Sequence, residues 1–193
     1  MIAGILLAAG AGTRFGGRKL LHPLSGGTTV GVSAVRNLKS ALPRVVAVVR
    51  PGDEELRLLF AREQVAIVEC AEADLGMGHS LAAGVAAECS AEGWVIALGD
   101  MPHIRPDTIR AVAAALEQGA TLVVPMFAGE RGHPVGFGRQ FRDDLLTLSG
   151  DAGARTVLTA HASAVRQLEV DDPGVVQDVD TPADAKRLGS REG

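Results

Sequence analysis

Apolar positions along this chain follow two rhythms. Short, largely apolar runs, "IAGILLAA" (residues 2–9), "RVVAVV", "VAIVEC", "WVIAL" (94–98) and "TLVVPMF", are of strand length and read as strands, the first and fourth of them buried. Between them stand longer segments with helical spacing. "VGVSAVRNLKSAL" (30–42) has a polar face, "PGDEELRLLFARE" offers Asp53 as a cap ahead of Glu54 and Glu55, and "HSLAAGVAAE" is a short helix following the loop "EADLGMG". "RPDTIRAVAAALEQG" has a proline near its start and Gly119 just past its end, the asymmetry of a helix.

Strands alternating with helices predict an α/β, doubly wound, mostly parallel sheet with helices on both faces. After Met126 the segments shorten, through "GHPVGF", "RQFRDDLLTL", "GARTVLTAHA" and "AVRQLEV" to "VVQDVDTPADAKRL". They predict a small antiparallel C-terminal part, at an edge of the sheet and closing over it. No internal repeat and no Pro/Ser linker divides the 193 residues, so residues 1–193 are expected to form a single domain.

Composition narrows the partners. The chain is 47% hydrophobic, has 24 glycines and carries a net charge of -4 without a Lys/Arg block, which argues against a nucleic-acid partner. No apolar run approaches the roughly 20 residues of a membrane span, and no signal-peptide pattern opens the chain, so a cytoplasmic location is expected. Cys70 and Cys89 lack metal or redox spacing and are expected to be buried free thiols.

The first strand runs into "LLAAGAGTRFGGRKLL" (6–21), where four glycines precede or separate three cations, Arg14, Arg18 and Lys19. A dinucleotide fingerprint fits the spacing of Gly10, Gly12 and Gly16, but Gly16-Gly17 and His22-Pro23 keep the chain out of the helix that motif requires, leaving an NADP reading only through Arg50. A P-loop is excluded, because Arg18 stands at its lysine position and no hydroxyl follows Lys19. Three cations within six residues match a triphosphate wrapped from outside the sheet's carboxyl edge. A triphosphate calls for a divalent metal, Mg2+ above all, and for carboxylates to hold it. Asp100, at the end of the fourth strand in "ALGDMPHI", and Asp180 in "QDVDTPAD" are the candidates; Asp100 also reads as a turn acid before Pro102 and Asp180 equally as a helix cap, a role expected above all of Thr181.

In order and separation, "LAAGAGTRFGGRK", "LGDMP", "GHPVGF", "GDAGAR" and "DVDTPAD" resemble the nucleotidyltransferases of molybdenum cofactor maturation, in particular the molybdenum cofactor cytidylyltransferases, over residues 5–185. The resemblance implies transfer of CMP from CTP to the terminal phosphate of a molybdopterin-type cofactor, with release of pyrophosphate and a molybdoenzyme as recipient of the product. It carries over Leu7, Ala8, Ala9, Gly10, Gly12, Arg14 and Lys19 as nucleotide contacts, with Lys19, Arg14 and Asp100 catalytic. Asp100 and Asp180 are carried over as metal ligands. The family's cytidylyltransferases read LAAG where its guanylyltransferases read LAGG, so Ala8-Ala9-Gly10 points to CTP rather than GTP.

"GMGHSLAAG" is similar to the base-side helix start of related cytidylyltransferases. It makes Gly78 and Ser80 candidates for base contact, with Ser80 equally readable as a helix cap and Met77 as packing. His133, Asp151 and Arg155 match motifs near the acceptor, and His133 and Asp151 also read as a turn histidine and a cap. Other classes share the same glycines: an NADP-linked reductase, a transferase acting on a different phosphorylated metabolite, and a non-enzymatic cofactor-binding chaperone.

Overall fold

The computed structural model describes residues 1–10, 12, 15–151, 153–181 and 183–185. Strand β1 (Ile2–Leu7) forms the middle of a parallel set, pairing with β2 (Val45–Val49) on one side and β4 (Gly93–Leu98) on the other. Strand β3 (Ala66–Glu69) extends the set beyond β2, also in parallel. Parallel neighbours need crossover connections, which the helices α1 (Val30–Ala41), α2 (Glu54–Arg62), α3 (Met77–Ala87) and α4 (Pro106–Glu117) provide.

Side chains alternate across β1. Ile2 and Leu6 join the core beneath α1, α2 and α4, where Leu38, Phe60 and Ile109 pack, whereas Ala3 and Ile5 face α3 with Leu81 and Val85. Helices cover both faces, as the unbroken apolar runs require. Gly84 lets α3 press onto the sheet, because a Cβ there would come within 2.6 Å of Ile5 Cγ2. Caps fall where the side chains allow them. Thr29 accepts from the Val32 N–H at the start of α1 and Asp53 from the Leu56 N–H at the start of α2.

The antiparallel part departs from expectation. The strand β7 (Val135–Gly138) does not sit at an edge but is inserted between β4 and β5 (Leu122–Phe127), antiparallel to both. The outer edge is β8 (Val165–Glu169), parallel to β5, and the short β6 (Glu130–Arg131) continues the β7 line along β5. Arg131 pairs with Met126 and Gly136 with Val123, so five steps on one strand face three on the other. The surplus bulges out at Gly132, His133 and Pro134, with a cis bond between the last two. Two short helices, α5 (Arg142–Leu146) and α6 (Ala154–Ala160), lie on the α3 face, where Leu145 and Val157 join the core.

After β8 the chain returns across the carboxyl ends of the strands. Asp172, almost fully enclosed, accepts from Arg105 N at 2.9 Å, Thr108 Oγ1 at 2.6 Å and Gly174 N at 3.0 Å. Val175 then accepts from the His133 N–H at 2.9 Å, and Val179 donates its N–H to the Asp100 carbonyl at the same distance. Of the two cysteines, Cys70 is buried but Cys89 is exposed, because α3 ends at Ala87 and Cys89 stands beyond it. Among the described residues no helix is long and apolar enough to cross a membrane.

Candidate functional site

The strand order turns back between β1 and β4, which puts the loops after these two strands side by side at the sheet's carboxyl edge. Leu7 pairs in register with Leu98, and the Gly99 N–H donates to the Leu7 carbonyl at 2.9 Å. Ala8 holds the line of the sheet through its N–H to Val48 O at 2.9 Å. Beyond it, a Cβ at Gly10 would meet nothing within 4 Å, so this stretch of backbone is open to a ligand. Gly12 has a positive φ of 60° and its carbonyl accepts from Phe15 and Gly17, turning the chain back toward the sheet. A single 3-10 turn, Lys19–Leu21, follows.

This turn aims Lys19 at the acids. Its ammonium donates to Asp100 Oδ2 at 2.7 Å and to Asp180 Oδ1 at 3.0 Å, with only 13% of the side chain exposed. Asp178 completes the group, since Asp100, Asp178 and Asp180 each offer a carboxylate oxygen and these lie within 4.8 Å of one another. Three hard oxygen donors are a suitable set for Mg2+ or Mn2+. Burial alone would lower the Lys19 pKa, but the hydrogen bonds and charges of Asp100 and Asp180 outweigh it and raise it, so Lys19 is held as a cation. Burial, reinforced by the charges of Asp180 and Asp100, raises the Asp178 carboxyl.

Thr181 takes the capping role expected of it. Its Oγ1 accepts from the Asp184 N–H at 3.2 Å while Asp184 Oδ2 accepts from the Thr181 N–H at 2.9 Å, a reciprocal cap. Asp180, one residue earlier, points instead to Lys19.

A cleft of about 760 Å³ opens beside the acids, within the range of small-ligand sites. Leu7, Ala8, Ala9, Gly10 and Gly12 line it, as do Lys19, Asp100 and Ser80. At the other end stand Arg50, Asp74 and Met77. Arg50 Nε donates to the Ala9 carbonyl at 3.3 Å and its guanidinium pairs with Asp74, which fixes this wall.

Other expected residues are placed differently. Arg14 lies outside the described residues. Arg18 pairs with Glu55 on the surface. Gly78 does not line the cleft and spends its N–H on the Gly150 carbonyl at 2.8 Å, so it offers no donor to a base. Ser80 is the fourth residue of α3 rather than its cap, which is Gly76. Met77 is half exposed at the cleft wall instead of packed in the core.

Of the residues expected near an acceptor, Asp151 borders the cleft, whereas Arg155 lines a separate depression with Gly153 and Thr159 that Asp151 also borders. His133 sits in the bulge near Asp100. Burial lowers its pKa against the opposing pull of Asp100 and a hydrogen bond with the Ile96 backbone, and its Nδ1 has no partner among the described residues. Asp178 and Asp74 are among the residues of this site without an assignment from the motif reading. Asp178 had a signal, because a D-x-D spacing around a buried apolar residue presents both carboxylates on one side.

The comparisons with known proteins agree with this architecture. The MobA-like NTP transferase domain matches residues 4–166, and the chain belongs to that family. It is 32% identical over 191 residues to the purine catabolism protein PucB of Bacillus subtilis, covering 94% of this chain and 92% of that one. It is also 32% identical over 196 residues to the nicotine blue oxidoreductase of Paenarthrobacter nicotinovorans, covering 97% and 96%. The crystal structure of Rv0371c from Mycobacterium tuberculosis H37Rv aligns with a TM-score of 0.83 at 30% identity over 98% of both chains, and that of its complex with manganese with 0.81 at 29%, again over 98% of both.

Proposed function

We propose that this MobA-like NTP transferase moves CMP from CTP to the terminal phosphate of a molybdopterin-type cofactor and releases pyrophosphate. One observation carries the reading: a partly buried lysine and three carboxylates converge at the carboxyl ends of β1 and β4, on the wall of a cleft sized for a nucleotide. The acceptor and the choice of CTP over GTP rest on the sequence motifs, with Ala8-Ala9-Gly10 favouring CTP.

The reaction asks little covalent chemistry of the protein. A phosphate monoester has a second pKa of about 6, so the attacking oxygen is already largely deprotonated near neutral pH and needs no general base. A bond forms from that oxygen to the α-phosphorus, the α–β bridging bond breaks, and its electron pair leaves with pyrophosphate. Two anions must approach, so positioning and charge stabilisation do the catalysis. Lys19 donates N–H to phosphate oxygens, and the open backbone at Gly10 and Gly12 lets phosphates come close. A divalent cation on Asp100, Asp178 and Asp180 would supply neutralisation of the phosphate charge. Ser80 and the Arg50–Asp74 wall bound the nucleoside end, and Asp151 and His133 are the acceptor-side candidates. A molybdoenzyme that receives the product completes the proposed set of partners.

A second reading, an NADP-linked reductase, draws on the likeness to nicotine blue oxidoreductase and on Arg50, a cation at the cleft wall suited to a 2′-phosphate. Pyrophosphate release separates the two. With CTP, Mg2+ and a molybdopterin acceptor, the transferase reading expects stoichiometric pyrophosphate that depends on all three components. NADPH oxidation with no pyrophosphate would replace it by the reductase.

A further inference from the structure

Lys19 occupies a place that its expected role does not require. Lys19 lines the cleft, where a phosphate can reach it. Its ammonium donates to Asp100 and Asp180, among carboxylates grouped within 4.8 Å. Beside these three acids the ammonium serves as a counter-ion. The lysine stem is four flexible carbons, and its head is a point charge that needs no fixed direction, so it can exchange one set of oxygens for another without moving the backbone. The backbone itself is constrained. Gly16, Gly17 and Arg18 all hold positive φ, at 86°, 95° and 54°, and they set the turn from which Lys19 projects.

We propose that Lys19 is a resident counter-ion of the Asp100–Asp178–Asp180 group, transferred to a phosphate oxygen when a divalent cation enters together with the nucleotide. The proposal rests on the transferase reading for the identity of the ligand, but not for the place of the lysine. A divalent cation arriving alone must displace the ammonium from two hydrogen bonds and leave it nearby, a repelling charge with no new partner. Arriving with a triphosphate, it brings the oxygens that Lys19 needs. Cation and nucleotide therefore bind with positive coupling, and the coupling is reciprocal. Lys19 thus acts as a positioning residue for the metal before it touches the substrate. The arrangement keeps the acids from trapping a bare cation in a form that excludes the nucleotide.

The test is a Mn2+ titration followed by electron paramagnetic resonance. It uses the wild-type chain, Lys19→Met and Lys19→Gln, each with and without CTP, and subtracts the manganese that CTP binds in a protein-free control. Wild type is expected to bind Mn2+ about tenfold or more tightly with CTP than without it, a coupling in the usual allosteric range. In the absence of nucleotide, both variants are expected to bind Mn2+ at least about tenfold more tightly than wild type, the opposite of what loss of a merely structural residue would do, and to lose the coupling. Bare Mn2+ affinity unchanged or weaker in both variants, with melting curves showing both folded, overturns the proposal. That arm contains no nucleotide, so it decides the matter even if CTP fails to bind and the transferase reading falls. Equal wild-type affinity for Mn2+ with and without bound CTP overturns the proposal while leaving the transferase reading in place.

Discussion

The backbone N–H of Val179 donates to the carbonyl of Asp100 at 2.9 Å, tying the returning C-terminal segment to the loop after β4. Asp100 and Asp180 are 80 positions apart in the chain and are brought to one lysine by this bond. The Val179 side chain is fully buried with Val30 and Ala185, which turns its neighbours Asp178 and Asp180 the other way, toward Asp100. Val179→Ala is expected to lose about 1–3 kcal/mol of stability through the cavity it opens, read by urea unfolding. It should also weaken Mn2+ binding in the presence of CTP, because the carboxylates lose their common anchor. Unchanged metal affinity in a clearly destabilised variant would dissociate the two.

Asp178→Asn should separate stability from function. Burial, with the charges of Asp180 and Asp100, raises this carboxyl above its ordinary 3.8. Between 3.8 and the raised value the folded chain holds a proton that the unfolded chain has lost, so stability falls as pH rises through that window and stays lower at neutral pH. Solvent screening at this exposed side chain keeps the effect small. The variant is expected to melt on the order of 1–3 °C higher than wild type at pH 7 and to bind Mn2+ less tightly. A lower melting temperature at pH 7 would show that Asp178 stabilises the fold.

His133 predicts a dependence of the opposite sign. Burial holds its folded-state pKa below the ordinary 6.5. From 6.5 down to that lowered value the unfolded chain binds a proton that the folded chain refuses, so its contribution is intact above 6.5 and stability is lost as pH falls. The slope from this one group is at most about 1.4 kcal/mol per pH unit. His133→Asn should flatten that limb in denaturant unfolding measured from pH 7.5 to 4.5. An identical slope in the variant would assign the acid sensitivity elsewhere.

Much of this was legible in the order of residues, for reasons that also mark its limits. The parallel strands and their helices follow from apolar runs and helical spacing, which are local properties. The insertion of β7 between β4 and β5 does not, because "GHPVGF" records that a short strand exists and not which strands it pairs with. Lys19, Asp100 and Asp180 could be singled out because chemistry limits what such residues do at a strand's end. That Lys19 bonds both Asp100 and Asp180 is a tertiary fact, and no spacing encodes it. The start of α3 was not legible either, since the helix begins at Met77, ahead of the first strongly helical residues, and the Gly78 N–H meets the loop at Gly150.

The C-terminal segment depends on Asp172. Its carboxylate accepts from two backbone N–H groups and the Thr108 hydroxyl with almost no exposure to water, so removal leaves buried donors unpaired. Asp172→Ala is expected to cost about 3 kcal/mol or more. Asp172→Asn should cost less, since its amide oxygen can still accept. Equal losses in calorimetry would mean that the charge, not the hydrogen bonding, is what matters.

Lys19→Ala should lower CMP transfer by about 10²–10³-fold, the scale for loss of one preorganised charge at a transition state. The fold should persist, because the group the lysine leaves behind is open to solvent and ions at the cleft.

The most direct test of the central claim is a melting-temperature screen with CTP, GTP, ATP, UTP and NADPH, each with and without Mg2+. A ligand present at 100 times its Kd stabilises by about 2.7 kcal/mol, a readily measured shift. The account predicts the largest shift for CTP with Mg2+, a smaller one for CTP alone, and none for NADPH. A shift with NADPH and none with any triphosphate would contradict it.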